Sequence, residues 1–304
     1  MFERVLVPLD GSHRSEAVLR PLLPLARAFG SSVTLVHVVE EVVSGGDGEV
    51  SAAARRQMES VASLALDYLE EVASGLRGQG LDASVQVEFG RPHQAIVELA
   101  AKGGYSLLAM ATRGRGALPG PLLGSTVARV LPESPVPVLT VVPRRRQRLW
   151  SAPGRFKKVV VPLDGSELAE AALGPAREVA ARLRLPISLL QVIPSTVTVP
   201  LGTGTAILWD AGTAYQRDLD VLASGYLASL GQRLMDAGLT VDWDVMSGPV
   251  VDAIVDWARR DGPSLIVMAT RGRSGIARWL GSVTEWVVRR SHMPVLVVPP
   301  PRRA

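Results

Sequence analysis

Cysteine is absent from this 304-residue sequence. That excludes a disulfide framework, a thiolate nucleophile and a Cys-ligated zinc site, and it suits a reducing compartment. Long apolar runs are missing too: no stretch approaches the ~18 residues of a membrane span, although the mean hydropathy is +0.22. The opening MFERVLVPLD mixes acid and base with its apolar residues and carries no signal-peptide pattern. The expectation is a cytoplasmic protein with no membrane partner. An excess of one charge is also lacking, with 33 basic against 29 acidic residues and a net charge of +4. The pI of about 9.8 therefore reflects arginine content. The basic runs Arg144–Arg148 and Arg302–Arg303 follow apolar strand-like segments, where solvated linkers and tails sit, and no aromatic ladder accompanies them. Nucleic acid is not expected as a partner. The P-loop pattern of Gly, four residues and Gly-Lys-Ser/Thr does not occur, and no complete GxGxxG follows a strand-like run, which argues against a P-loop ATPase.

What the sequence does contain, it contains twice. Val5–Ser12 reads VLVPLDGS and Val159–Ser166 reads VVVPLDGS; Met110–Arg115 and Met268–Arg273 both read MATRGR; Gly124-Ser125 and Gly281-Ser282 follow as matching pairs. The order and spacing of the three blocks are nearly unchanged between copies. A period of this length exceeds a solenoid repeat of roughly 20–50 residues and matches one folded domain. The expected organisation is a first copy over 1–143, a linker over 144–155 and a second copy over 156–304.

Each copy alternates short β-branched runs with helical spacing. In the first, strands are predicted at Arg4–Leu9, Ser32–Val39, Ala83–Phe89, Leu107–Ala111 and Val136–Val142, with helices at Arg14–Phe29, Val50–Leu76, His93–Lys102 and Leu122–Leu131. In the second, strands are predicted at Val159–Leu163, Ile187–Ile193, Thr240–Val245, Leu265–Ala269 and Val295–Val298. Apolar strands alternating with helices imply a mostly parallel sheet covered on both faces. The fold class is α/β, with two tandem five-stranded doubly wound domains. Two segments resist assignment, Glu40–Gly48 and Pro194–Gly212. Both follow the second strand of their half, where a loop becomes either a lid or a disordered excursion.

The most specific pattern is Ala111-Thr112-Arg113-Gly114, nine residues, then Gly124-Ser125. It reads as a strand end, a flexible loop and a helix start. Gly114 and Gly116 let the backbone approach a ligand closely, while Gly124, Ser125 and Thr126 offer N–H groups and hydroxyls at a helix N-terminus. That combination suits phosphate; the bland alternative is a turn with Ser125 as helix cap. Asp10 and Asp164 end the first strand of each half in PLDGS, at the sheet's carboxyl edge. A carboxylate there can accept ribose hydroxyls, hold a divalent cation against phosphates, or cap the following helix. His37 has Gln191 as its counterpart, which excludes a catalytic histidine common to both halves, and His13, His93 and His292 are scattered. Trp243, Trp257, Trp279 and Trp286 fall on predicted elements and are expected to serve core or interface packing.

These blocks resemble the universal stress protein family, in tandem form, over nearly the whole chain. The family pattern is Gly, two residues, Gly, nine residues, Gly-Ser/Thr, preceded by an early Asp, and many members bind ATP or another adenine nucleotide. The resemblance implies a Rossmann-like fold of the adenine-nucleotide-binding superfamily, with nucleotide contacts at Pro8, Leu9, Asp10, Val38, Met110, Ala111, Arg113, Gly114, Gly124, Ser125 and Thr126. In the second half it implies Pro162, Leu163, Asp164, Val192, Met268, Ala269, Arg271, Gly272, Gly281, Ser282 and Val283. Magnesium, if present, would arrive with the nucleotide and face Asp10 or Asp164. The resemblance further implies that the last strands of the halves pair, as a pseudo-dimer within the chain or as a homodimer, with a protein partner not identified.

Two departures from the family pattern stand out. Ala111 and Ala269 occupy its first glycine, harmless if the residue keeps β-region angles and harmful at positive φ. Only eight residues, Arg273–Leu280, separate Gly272 from Gly281, so the first site is expected to be the more reliable. The expected function is a nucleotide-binding stress-response regulator without a catalytic role. Its rivals are a slow magnesium-dependent ATPase and a nucleotide-free partner-binding module.

Overall fold

Val5, Leu6 and Val7 are wholly buried, as are Leu107 and Leu108, so two short apolar runs far apart in sequence form the centre of one core. In the computed structural model these runs are neighbouring parallel strands. The structure describes residues 1–40, 52–114, 122–143, 155–194, 196–201, 204–209, 213–270 and 280–300. Chain contacts divide it into Met1–Gly154 and Arg155–Ala304.

The first unit runs β1 (Arg4–Pro8), a 3-10 turn at Ser15–Val18, α1 (Leu19–Phe29), β2 (Ser32–Val39), α2 (Ala52–Gly78), β3 (Asp82–Phe89), α3 (Pro92–Lys102), β4 (Leu107–Ala111), α4 (Ser125–Glu133) and β5 (Val138–Val141). Its strands lie in the order β5-β4-β1-β2-β3, all parallel. The second unit runs β6 (Lys158–Leu163), α5 (Glu167–Glu170), α6 (Leu173–Leu183), β7 (Ile187–Ile193), β8 (Thr196–Leu201), β9 (Gly204–Trp209), α7 (Thr213–Asp236), β10 (Val241–Ser247), α8 (Val250–Arg259), β11 (Ser264–Ala269), α9 (Ser282–Arg290) and β12 (Val295–Val298). Its parallel order is β10-β7-β6-β11-β12. The two orders correspond strand for strand. Within its unit each last strand, β5 or β12, flanks only the fourth strand.

Two expectations need correction. The helix predicted over Arg14–Phe29 begins as a 3-10 turn and becomes α-helical only at Leu19. The segment Pro194–Gly212 contains an antiparallel hairpin, with β8 paired to β9 from Thr196↔Trp209 to Leu201↔Gly204; it is neither a plain loop nor an irregular excursion. Most of Glu40–Gly48 lies outside the described residues.

The sheet opens where a site needs room. Strands β1 and β4 are paired only at Val5↔Leu107 and Leu6↔Leu108, and β6 and β11 only from Ser264↔Lys158 to Ile266↔Val160. Beyond these pairs the two central strands part. Pro8 and Pro162, which have no N–H to donate, stand past the split while still paired on the other side to Val36 and Leu190. A proline in a central strand costs a ladder bond, and here that bond has no partner to lose. The reversal of strand order at this point creates the crevice at the carboxyl ends where doubly wound folds bind ligands.

Candidate functional site

The crevice is shaped first by the PLDGS turn. In the second half Asp164 Oδ1 accepts from Ser166 N at 3.0 Å and from Ser166 Oγ at 2.6 Å, and Ser166 Oγ in turn accepts from Ala169 N at 3.2 Å as the cap of α5. The first half repeats the turn, with Asp10 Oδ1 accepting from Ser12 N and Oγ at 3.0 and 2.6 Å. In the second half Ser166, not Asp164, is the cap of α5, and the aspartate orients that serine; the 3-10 turn of the first half has no side-chain cap.

The second wall is the ATRG segment. A Cβ built on Gly114 would lie 1.8 Å from Asp10 Oδ2, so only glycine lets this loop lie against the carboxylate. Ala111 and Ala269 are the last residues of β4 and β11, paired to Val141 and Val298, and neither has a positive φ. The methyl group in place of the family glycine therefore introduces no backbone strain. Thr112 and Thr270 follow; each has a buried Oγ1 without a hydrogen-bond partner, as does Arg113 Nε. Residues 115–121 and 271–279, including Gly116, Arg271, Gly272 and Trp279, lie outside the described residues.

The third wall is a helix start. Gly124 and Gly281 are N-caps with extended backbone, and neither α4 nor α9 has a side-chain cap. Ser125 is the first residue of its helix, which corrects its reading as a cap. Uncapped first-turn N–H groups and the positive end of the helix dipole attract an anion. The glycine N–H is itself tied back to the fourth strand's exit, Gly124 to Thr112 O at 2.8 Å and Gly281 to Thr270 O at 2.7 Å. Thr284 Oγ1 adds a 2.9 Å bond to Ala269 O. The two helix starts thus share the same anchoring point.

In the second unit these walls enclose a cavity of about 680 Å³. Pro162, Leu163, Asp164, Val192, Met268, Ala269, Gly281, Ser282 and Val283 all line it. The volume falls in the range of roughly 300–1,000 Å³ usual for small-molecule sites. Among the described lining residues Asp164 alone is charged. In the first unit the structure brings Asp10 against Gly114, and Gly124 against Thr112, while Pro8 closes β1, Val38 lies next to last in β2, Met110 stands one residue before the end of β4, and Thr126 follows Ser125 in α4.

Sequence reasoning missed one side of the cavity. Leu219, Leu222, Ala223 and Tyr226 of α7 line it, at the i, i+3, i+4, i+7 spacing of a single helix face. Leu222 is 69% exposed and forms part of the mouth. Tyr226 donates to Glu170 Oε1 at 3.0 Å, as Tyr68 does to Glu16 at 2.9 Å. Burial, then the carboxylate partner, pushes the Tyr226 hydroxyl well above the ordinary phenol range. At neutral pH it is a fixed donor and not a base.

The scattered histidines take local roles. His37 Nδ1 donates to Leu9 O at 2.8 Å, and the exposed His13 pairs at 3.3 Å with the buried Glu16. Trp257 donates to Ser188 Oγ at 3.0 Å. Trp243 and Trp286 are exposed, so neither belongs to the core. No group of three or more His, Asp or Glu residues placed to hold a metal occurs among the described residues, and none of their helices is long and apolar enough to cross a membrane.

The model of the universal stress protein family matches residues 1–142 and again 155–299. A universal stress protein of Mycolicibacterium smegmatis is 27% identical over 299 residues, covering 97% of this chain and 97% of its own. A universal stress protein of Thermus aquaticus is 30% identical over 142 residues, 46% of this chain and 99% of its own. Among solved structures, a universal stress protein from Archaeoglobus fulgidus superposes with a TM-score of 0.67 at 26% identity, covering 98% of this chain and 96% of that one.

Proposed function

Since the chain belongs to the universal stress protein family, we propose that it binds an adenine nucleotide in the crevice of its halves and serves as a nucleotide-responsive regulator in a stress response. One observation carries this reading. Nine residues that the family resemblance assigns to the nucleotide, from four separate stretches of sequence, line one cavity beside an uncapped helix start. The phosphates would take the free first-turn N–H groups and the hydroxyl of Ser282, and the base would lie near Val192. Magnesium would come bound to the phosphates and face Asp164, because one carboxylate is too few ligands for a dedicated cation cage.

A binding role is proposed in preference to catalysis. Attack on a phosphate needs a positioned base, and His37, which bonds to Leu9 O in one half, is Gln191 in the other. Thermal denaturation of the nucleotide-stripped protein tests the reading. Millimolar ATP or AMP at about 100 times its dissociation constant stabilises by ~2.7 kcal/mol, so the midpoint should rise by several degrees. No rise with any adenine nucleotide would leave the partner-binding module as the function.

A further inference from the structure

Among the described cavity-lining residues, Gln191 alone has a buried polar side-chain atom, Oε1, without a hydrogen-bond partner. Buried acceptors are rarely left unpaired. Its counterpart in the first half is not. His37 stands at the same register, beside Leu9, and its Nδ1 is tied to the Leu9 carbonyl; a carbonyl only accepts, so that bond fixes Nδ1 as the donor. Gln191 stands beside Leu163 and makes no such bond.

We propose that Gln191 reads the base in the second half: its Oε1 accepts the exocyclic amino group of a 6-aminopurine, so that this site prefers adenine over 6-oxopurines. The inference rests on the nucleotide reading above and adds a side chain to it. Oε1 as placed is shielded from the cavity, so it meets a base once the amide turns about the last side-chain bond and Nε2 takes the shielded position; Oε1 gives up no hydrogen bond in doing so. The surroundings suit a flat base rather than phosphate or sugar. Leu190, Val192, Ile193 and Pro194 approach from β7 and its exit, and Val250 and Ile254 from α8. In such apolar surroundings an unmatched polar group is expensive, and a site that pairs a ligand's N–H rejects the analogue that lacks it.

The experiment uses the full-length, nucleotide-stripped chain carrying Gly124→Asp, which places a charge in the first cradle and leaves the second half to be read. ATP and inosine triphosphate, which differ in the amino or oxo group at position 6 and in the proton that N1 carries beside the oxo group, are titrated by calorimetry into this protein and into the same protein with Gln191→Met, the comparison that isolates the share of Gln191. Methionine matches glutamine in length and has no acceptor of comparable strength; an unchanged melting midpoint without ligand verifies its fold. With Gln191 present, ATP should bind at least about tenfold more tightly than inosine triphosphate. In the protein carrying Gln191→Met the ratio should fall to about twofold, through weaker ATP binding. Equal binding in the Gln191 protein, tighter inosine triphosphate, or a preference that survives Gln191→Met would overturn the inference while leaving the nucleotide site standing. Binding of neither nucleotide would overturn both.

Discussion

Asp164 has two jobs that one substitution separates. Its Oδ1 holds Ser166 in the turn that caps α5, and its negative charge faces the space proposed for magnesium. Asp164→Asn keeps an Oδ1 acceptor and removes the charge. In the chain that also carries Gly124→Asp, so that only the second site is read, the expected outcome is an unchanged melting midpoint, AMP affinity within about twofold of the original, and loss of the magnesium dependence of ATP binding, measured by titration with and without the metal. The phenols give a second prediction. Tyr68 and Tyr226 are both held protonated by burial and by a carboxylate partner, Glu16 and Glu170. A raised phenol pKa stabilises the fold fully below the unfolded value of about 10 and loses that contribution as pH climbs through the folded value. Of four tyrosines, two should therefore stay un-ionised in phenolate absorbance until alkaline unfolding. Comparing the halves makes this pair readable from sequence, because Tyr68 and Tyr226 keep the same offset as the MATRGR blocks. Gln191 was readable only as a mismatch with His37; its unpaired oxygen needed the structure.

Among the elements, the strands were largely legible because the central ones are buried on both faces and read as continuous apolar runs, as in LLAMA at Leu107–Ala111 and SLIVMA at Ser264–Ala269. The hairpin β8–β9 carried its own signal in the sequence: TVTVPL alternates, TAILW is an apolar run, and the stretch Gly202-Thr203-Gly204 between them has the glycine content that signals a hairpin. Its place between β7 and α7, where a βαβ unit expects only a crossover, hid it. The break between the 3-10 turn and α1 was illegible because apolar spacing continues through both. Helix α7 offers a paired test. A Cβ on Gly231 would meet the Trp243 ring at 2.6 Å, whereas one on Gly225 meets nothing within 4 Å. Gly225→Ala should stabilise by up to about 1 kcal/mol through helix propensity. Gly231→Ala should destabilise by about 1–3 kcal/mol, because overpacking against β10 outweighs the same propensity gain. Denaturant midpoints of the two variants decide; stabilisation by both would mean that α7 does not rest on Trp243 as described.

For the whole molecule, duplication is the fact that ties sequence to function. Each half carries the same PLDGS turn, the same split between its central strands and the same glycine N-cap tied to a threonine carbonyl. The expectation of a weaker second site rested on its shorter loop, which lies outside the described residues. The direct test is calorimetric titration of ATP with magnesium into the nucleotide-stripped chain and its Gly124→Asp and Gly281→Asp variants. Aspartate is a favoured N-cap residue, so each helix should keep its start while its cradle gains a repelling charge. The account predicts two sites in the unsubstituted chain, one that survives Gly124→Asp, and none when both substitutions are combined. A single site that disappears with Gly124→Asp alone, or heat that persists in the double variant, would contradict it.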